Sequence, residues 1–299
     1  MIATSRLTKR FGSLLVVDAV DLDVRAGDIY GFVGANGSGK TTTLRMLLGL
    51  VLATSGEIQL LGEPMPKAAA EVLSRVGALV ETPAAYGHLS GTANLALLDA
   101  SGPAGPRKTR AARVAEALER VGLGHVGKRP VKAYSLGMRQ RLGLAAALMH
   151  TPELLILDEP TNGLDPQGIR EIRELLLQLH RGGTTIFLSS HLLAEVEQLC
   201  TRVGVLDQGR LIAQDSLEAL QAPTGRTVVQ TPDTMAALAL LDGRVAVRDG
   251  ERLVVSGADP AALNALLVDH GVRVTALNAE RRTLEQVILE LTNQASELR

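Results

Sequence analysis

The run GANGSGKTT at positions 34–42 constrains this chain more than any other stretch. It follows GDIYGFVG, which reads as a strand, and precedes a segment that carries Leu44, Leu47 and Leu48 on one helical face. A glycine-rich turn between a strand and a helix is the setting that a phosphate-binding loop requires. Gly34, Gly37 and Gly39 remove side chains, so that backbone N–H groups can point at phosphate oxygens, and Asn36 and Ser38 belong to the same nucleotide-contacting turn. The N-terminus of the helix expected from Lys40 adds partial positive charge. Lys40 is expected to reach the β- and γ-phosphates, Thr41 to offer its hydroxyl to Mg2+, and Thr42 to lie near the α-phosphate. On its own the loop specifies only a nucleoside triphosphate.

A second feature narrows the choice. LLILDEP at 154–160 is a continuous apolar run that ends in two acids, as a buried parallel strand would. Asp158 fits the carboxylate that holds Mg2+ in phosphate-loop enzymes. The neighbouring Glu159 can polarise an attacking water. GTPases position that water with a different residue, so the acid pair favours ATP.

The 299 residues allow one large domain and a smaller one. Hydrophobic residues make up 46% of the chain, enough for a substantial core, and the net charge of -1 gives no basic excess to steer it toward nucleic acid. A single cysteine, Cys200, excludes a disulfide framework and suits a reducing compartment. The start, MIATSRLTKRFG, lacks the apolar segment of a secretory signal. The apolar stretch at 46–53 is far shorter than the roughly 18 residues of a membrane span. The first 32 or so residues read as short strands, and residues from about 84 to 150 read as helices. The segment 166–180 reads as a helix with Pro at its first turn and a stripe of Ile169, Ile172, Leu175, Leu176 and Leu179. TTIFLSS at 184–190 is another strand, followed by a helix, and VGVLDQGRLIAQ is a hairpin about Gln208 and Gly209. After APTG at 222–225, which reads as a linker, the pattern becomes β-α-β-β-α-β with a hairpin at Asp249-Gly250. A last helix is expected from about 283 to 292. No internal repeat is evident.

AYSLGMRQRLGLAAAL at 133–148 resembles the signature motif of ATP-binding-cassette (ABC) proteins, whose usual form is LSGGQ. Tyr134, Ser135, Leu136, Gly137 and Met138 take its five positions. Read without that resemblance, the segment is an N-capped helix starting near Met138. The resemblance implies that Ser135 and Gly137 contact the γ-phosphate of ATP bound to another subunit. It also implies that Phe11 stacks on adenine, that residues 162–165, ending in Asp165, cross a dimer seam, and that His191 in LSSH touches the γ-phosphate. His88, His125, His150, His180 and His270 match no motif. The resemblance covers about 1–220. It implies an α/β ABC-type ATPase domain at 1–222 with a helical subdomain at about 84–150, and leaves a small α+β domain at 223–299.

Where the family usually has a glutamine that touches Mg2+ and the attacking water, this chain has Glu81. Glutamate can accept hydrogen bonds and coordinate a metal, but it cannot donate when ionised. With the SLGMRQR form of the signature, Glu81 makes the chain similar to the bacterial exporters linked to bacitracin-type and lantibiotic resistance. The resemblance implies two cassettes, identical or related, closing over two ATP molecules. Closure would drive a separate permease at the cytoplasmic face of a bacterial membrane. A soluble cassette ATPase acting on DNA or ribosomes is the rival reading. The DNA-repair type interrupts its cassette with long coiled coils and the translation type carries two cassettes, and neither pattern is present. A nucleotide-binding regulator without turnover does not need Glu159. Glu81→Gln is expected to keep wild-type ATP affinity in a titration while changing the coupling of hydrolysis to transport; a wild-type transport phenotype would leave the glutamate no special role.

Overall fold

Every residue of the runs 154–158 and 185–190 is buried. Strands buried on both faces belong inside a parallel sheet covered by helices. The computed structural model, which describes residues 1–80, 85–102, 106–241, 243–257 and 259–297, places them there. Glu81 lies outside the described residues. The chain divides into two compact units, Met1–Leu217 with the C-terminal residues from Gln294, and Glu218–Asn293.

The first unit opens with β1 (Ile2–Phe11), β2 (Leu14–Val20), β3 (Asp23–Val24) and β4 (Ile29–Val33), then the glycine-rich loop and α1 (Lys40–Leu47). β5 (Ser55–Leu60), β6 (Glu63–Met65), the one-turn α2 (Ala69–Val72) and β7 (Val76–Leu79) follow. Three helices come next, α3 (Gly91–Ser101), α4 (Arg110–Arg120) and α5 (Leu136–Leu148). The unit continues through β8 (Leu154–Asp158), α6 (Pro166–Arg181), β9 (Thr185–Ser190), α7 (Leu193–Leu199) and the hairpin of β10 (Arg202–Asp207) and β11 (Arg210–Ser216). The first strand is longer than the short strands expected there. It serves two ladders, pairing with β2 at one end and with β3 and β5 at the other. An irregularity at Arg6, where φ is +47°, lets it pass between them.

The larger sheet has the order β11-β10-β4-β9-β8-β7, parallel except for β11. Its centre holds three of the six aromatics of the chain. Tyr30 stacks on Phe187 at 5.4 Å, and Phe32 lies 5.5 Å from the same ring. A side chain at Gly31 would come within 2.8 Å of Cys200 Sγ, so the glycine lets α7 approach β4. Cys200 is buried, and burial pushes its thiol pKa up, which makes it inert. On α6 the expected stripe faces inward, with Ile172 and Leu176 buried and Ile169, Leu175 and Leu179 half-buried.

The α3–α4 pair is locked by one buried acid. Asp99 is fully buried and accepts hydrogen bonds from Arg110 Nε at 2.8 Å and from Arg113 Nε at 2.9 Å and Nη2 at 2.8 Å. Burial alone would raise its pKa, but the hydrogen bonds and charges of the two arginines outweigh that and hold it below the ordinary range.

After the short α8 (Leu217–Leu220), the second unit runs β12 (Pro223–Gln230), α9 (Thr234–Leu241), β13 (Val245–Asp249), β14 (Arg252–Ser256), α10 (Pro260–Asp269), β15 (Ala276–Arg281) and α11 (Leu284–Glu297) as far as Asn293. Its antiparallel sheet has the order β13-β14-β12-β15. Val229, Leu253 and Val255 pack with Ala237, Leu241, Leu263 and Leu267. The stretch expected as a linker belongs largely to the sheet instead. Pro223 begins β12, and the register shift between Pro223 and Thr227, with φ of +76° at Gly225, absorbs the turn-forming residues. The last helix also runs beyond the expected 292. Among the described residues no helix is long and apolar enough to cross a membrane.

Asp99→Ala would leave two arginines without their shared acceptor, which should destabilise the first unit by about 3 kcal/mol in denaturant unfolding. Because the folded pKa is depressed, the wild-type contribution is present above the unfolded aspartate value of about 4 and disappears as pH falls through the folded value. The stability gap between the two proteins should therefore close in acid.

Candidate functional site

The loop at 34–42 is shaped by what presses on it. A Cβ at Gly34 would lie 2.2 Å from Leu206 O, and one at Gly39 would lie 2.7 Å from Val16 O with φ at +106°. Only glycine fits at either position, which sets the loop tightly between β2 and the end of β10. Ala35, Asn36 and Gly37 are exposed, while Ser38, Gly39 and Lys40 are buried. Ser38 Oγ is buried with no hydrogen-bond partner. Gly39 is the N-cap of α1 and provides no side-chain cap, so the first N–H groups of that helix are left for a ligand. Thr42 is half-buried in the first turn. Lys40 Nζ turns back on its own loop, donating to Gly34 O at 2.8 Å and Ala35 O at 3.1 Å. Burial lowers its pKa, opposed by the charges of Glu159 and Asp158.

The two acids meet this loop from β8. Thr41 Oγ1 donates to Asp158 Oδ2 at 2.8 Å. The Ser189 hydroxyl, from β9, donates to Asp158 Oδ1. Glu159 adopts φ of +47°, a left-handed conformation that costs a side-chain-bearing residue roughly 1–2 kcal/mol. Its N–H donates to Ser189 O at 3.2 Å and Ser189 Oγ at 3.1 Å. Its carbonyl accepts from Asn162 N at 3.1 Å and Gln140 Nε2 at 3.4 Å. These bonds hold the strained backbone. The carboxylate of Glu159 lies 3.0 Å from His191 Nδ1 and accepts from Asn162 Nδ2 at 3.2 Å. Lys40, Thr41, Asp158, Glu159 and His191 thus converge at the carboxyl ends of β4, β8 and β9, where ligands bind in open α/β sheets.

A second group of candidate residues gathers elsewhere. Ser135 caps α5, its Oγ accepting from Met138 N at 3.2 Å, so the helix starts at Leu136, two residues earlier than expected. Ser135 and Gly137 line a cavity of about 520 Å3 with Arg141, Gly163, Leu164 and Asp165, and no residue of the 34–42 loop belongs to it. The Asp165 carboxylate is engaged at the start of α6, where Oδ1 accepts from Gly168 N at 2.9 Å. Phe11 ends β1 opposite Leu14 and is 50% exposed, with Lys9 Nζ 4.7 Å from its ring centroid. A half-bare ring can stack on a flat ligand. Glu81 cannot be placed, since it lies outside the described residues.

Sequence reasoning missed Ser189 and Gln140. Both sit inside stretches that carry other signals, LSSH and MRQR. What makes them matter is the pairing of Asp158 with Ser189 across β8 and β9 and the approach of α5 to Glu159, neither of which is local in sequence.

Among the described residues no cluster of three or more His, Cys, Asp or Glu could hold a metal unaided. The hard oxygens of Thr41 and Asp158 suit a small divalent cation that draws its other ligands from phosphate and water. The partnerless Ser38 hydroxyl and the uncapped helix start suit the phosphates themselves.

A family model described as ABC transporter matches residues 17–162. The chain is 42% identical to the bacitracin transport ATP-binding protein BcrA of Bacillus licheniformis, over 97% of each chain. It is 39% identical to the lantibiotic transport ATP-binding protein SrtF of Streptococcus pyogenes, over 72% of this chain and 90% of that one. A solved structure of an ATP binding subunit of an ABC transporter is similar at 26% identity and a TM-score of 0.67, over 74% of this chain and 91% of that chain.

Lys40→Ala would remove the only ammonium bonded within the loop while leaving its backbone intact. Loss of a buried charge that would pair with phosphate should weaken ATP binding about 100-fold or more. Isothermal titration with ATP checks this, and normal affinity in the variant would refute the assignment of the loop.

Proposed function

This chain belongs to the ATP-binding subunits of the ABC transporter family and hydrolyses ATP as a transporter's motor, and we propose that the transporter exports an antibiotic, a peptide or another drug-like molecule. The convergence of Lys40, Thr41, Asp158, Glu159 and His191 carries the mechanistic part of this reading. The bacitracin and lantibiotic transport relatives support the class of cargo. Nucleotide chemistry falls to residues 1–222, with the helical subdomain at about 84–150, and residues 223–299 form a separate α+β domain.

In this reading the loop amides and Lys40 hold the ATP phosphates. Lys40 gives up its bonds to Gly34 O and Ala35 O for phosphate oxygens. Phe11 stacks on adenine, and Ser38 Oγ gains a partner. Thr41 and Asp158, with Glu81, would hold Mg2+, which supplies charge neutralisation at the phosphates as the terminal P–O bond breaks. Glu159 polarises the attacking water, with its carboxylate oriented by Asn162 and His191. Products are ADP and inorganic phosphate.

A single chain leaves this site open, since Ala35, Asn36 and Gly37 face solvent. The cavity at Ser135 and Gly137 contains no part of its own loop. Both observations support a head-to-tail dimer, of two copies or of this chain with a related cassette, in which the partner's signature helix covers the γ-phosphate. Segment 162–165 with Asp165 would lie at that seam. No described helix is long and apolar enough to cross a membrane, so the reading assigns the spans to a separate permease. The segment beginning at Glu81 would face it, at the cytoplasmic side of a bacterial membrane.

Glu159→Gln keeps the shape and the hydrogen-bond acceptor but removes the base. It should bind ATP with near wild-type affinity, lose turnover about 100-fold or more, and accumulate as a dimer in ATP by size-exclusion chromatography. Turnover at the wild-type rate would remove Glu159 from the reaction.

A further inference from the structure

Ser189 is fully buried in β9, directly after Ile186, Phe187 and Leu188. A hydroxyl at such a position costs stability unless both its donor and its acceptor are used. Here both are, and both go to the acid pair. The hydroxyl proton goes to Asp158 Oδ1. The oxygen accepts the Glu159 N–H at 3.1 Å. The parallel register of β8 and β9 sets Asp158 opposite Ser189, so one short side chain reaches both residues.

We propose that Ser189 is a positioning residue for ATP hydrolysis, its hydroxyl fixing the Asp158 carboxylate and the Glu159 backbone relative to each other. The proposal deepens the function given above and rests on its assignment of Asp158 to the metal and Glu159 to the water. With Ser189 on Oδ1 and Thr41 on Oδ2, each carboxylate oxygen of Asp158 has its own donor, so the carboxylate plane cannot swing about its Cβ–Cγ bond. The same hydroxyl is one of the bonds that hold Glu159 at φ of +47°, the conformation from which its side chain reaches His191 and Asn162. Ser190, one residue on, is used differently: its Oγ accepts from Leu192 N at 3.0 Å and shapes the turn that follows β9.

Removing the Ser189 hydroxyl would not orphan the Glu159 amide, because Ser189 O also accepts from it at 3.2 Å. Ser189→Ala is therefore expected to fold and to lose alignment rather than structure.

The test uses the full chain and compares wild type, Ser189→Ala, Ser189→Thr and Asp158→Ala. Three quantities are measured: the melting temperature, the Mg2+ concentration giving half-maximal ATP binding by calorimetry, and steady-state kcat and KM. Ser189→Ala should melt like wild type, need several-fold more Mg2+ for binding, and lose about tenfold in kcat with KM little changed, the loss of about one hydrogen bond to a charged group. Ser189→Thr should restore both the Mg2+ requirement and kcat. A Ser189→Ala protein with wild-type kcat and Mg2+ requirement overturns the proposal. So does a variant whose kcat falls only together with its melting temperature while the Mg2+ requirement stays fixed, since that marks a structural role. If Asp158→Ala leaves the Mg2+ requirement unchanged, the underlying assignment of Asp158 is what fails. If Asp158→Ala shifts it and Ser189→Ala does not, only the role of Ser189 fails.

Discussion

β9 lies between β4 and β8 and is hydrogen-bonded in parallel to both, although β8 precedes it in the chain. The candidate site depends on that order. The glycine-rich loop leaves β4, the acid pair ends β8, and Ser189 and His191 mark the end of β9. Thr41 and Asp158 are 117 residues apart and Asp158 and Ser189 are 31 apart, yet all three reach one end of the sheet at a spacing fixed by interstrand hydrogen bonds. The buried aliphatic and aromatic side chains of these strands hold the register rigid. The aromatic contacts of Phe187 with Tyr30 and Phe32 tie β9 to β4 just below the loop. A slip of one residue would exchange the two faces of a strand and part Asp158 from both of its hydroxyl donors.

On this rigid base sits one strained residue. Glu159 holds a backbone conformation that side chains disfavour, and its neighbours stabilise that conformation from three directions: β9, α5 and the segment after the acid pair. The strain and its support have the same purpose, because that conformation directs the carboxylate toward His191 and Asn162 instead of extending the strand. The link through Gln140 also joins Glu159 to the helix that Ser135 caps. The helix expected to meet another subunit's nucleotide therefore touches the acid that would act on its own.

Local signals in the sequence were enough for the elements that carry the chemistry. The glycine loop, the start of α1 at Lys40, the β8 run with its two acids, Pro166 at the start of α6 and the β10–β11 hairpin all follow from residue type and spacing within a few positions. What did not follow locally was harder to read. β1 looked like short strands because its Arg6 irregularity breaks the alternation, and its length makes sense only with two partner ladders. APTG carried turn-forming residues, but β15 beside it gives Pro223 and its neighbours a strand to join, and pairing overrides composition. Ser189 gave no signal of its own, because nothing in LSSH says which strand will lie beside it. The function was legible from the combination of motifs, while the partner that fixes Asp158 required the register.

Lys40 bonded to Gly34 O and Ala35 O has a further consequence. The loop is not a ring of repelling donors around a bare cation. Its own carbonyls partner the ammonium and order the lysine side chain, so little further rotamer entropy would be lost when a phosphate takes up that charge. Nucleotide entry is then an exchange of ligands around a folded loop.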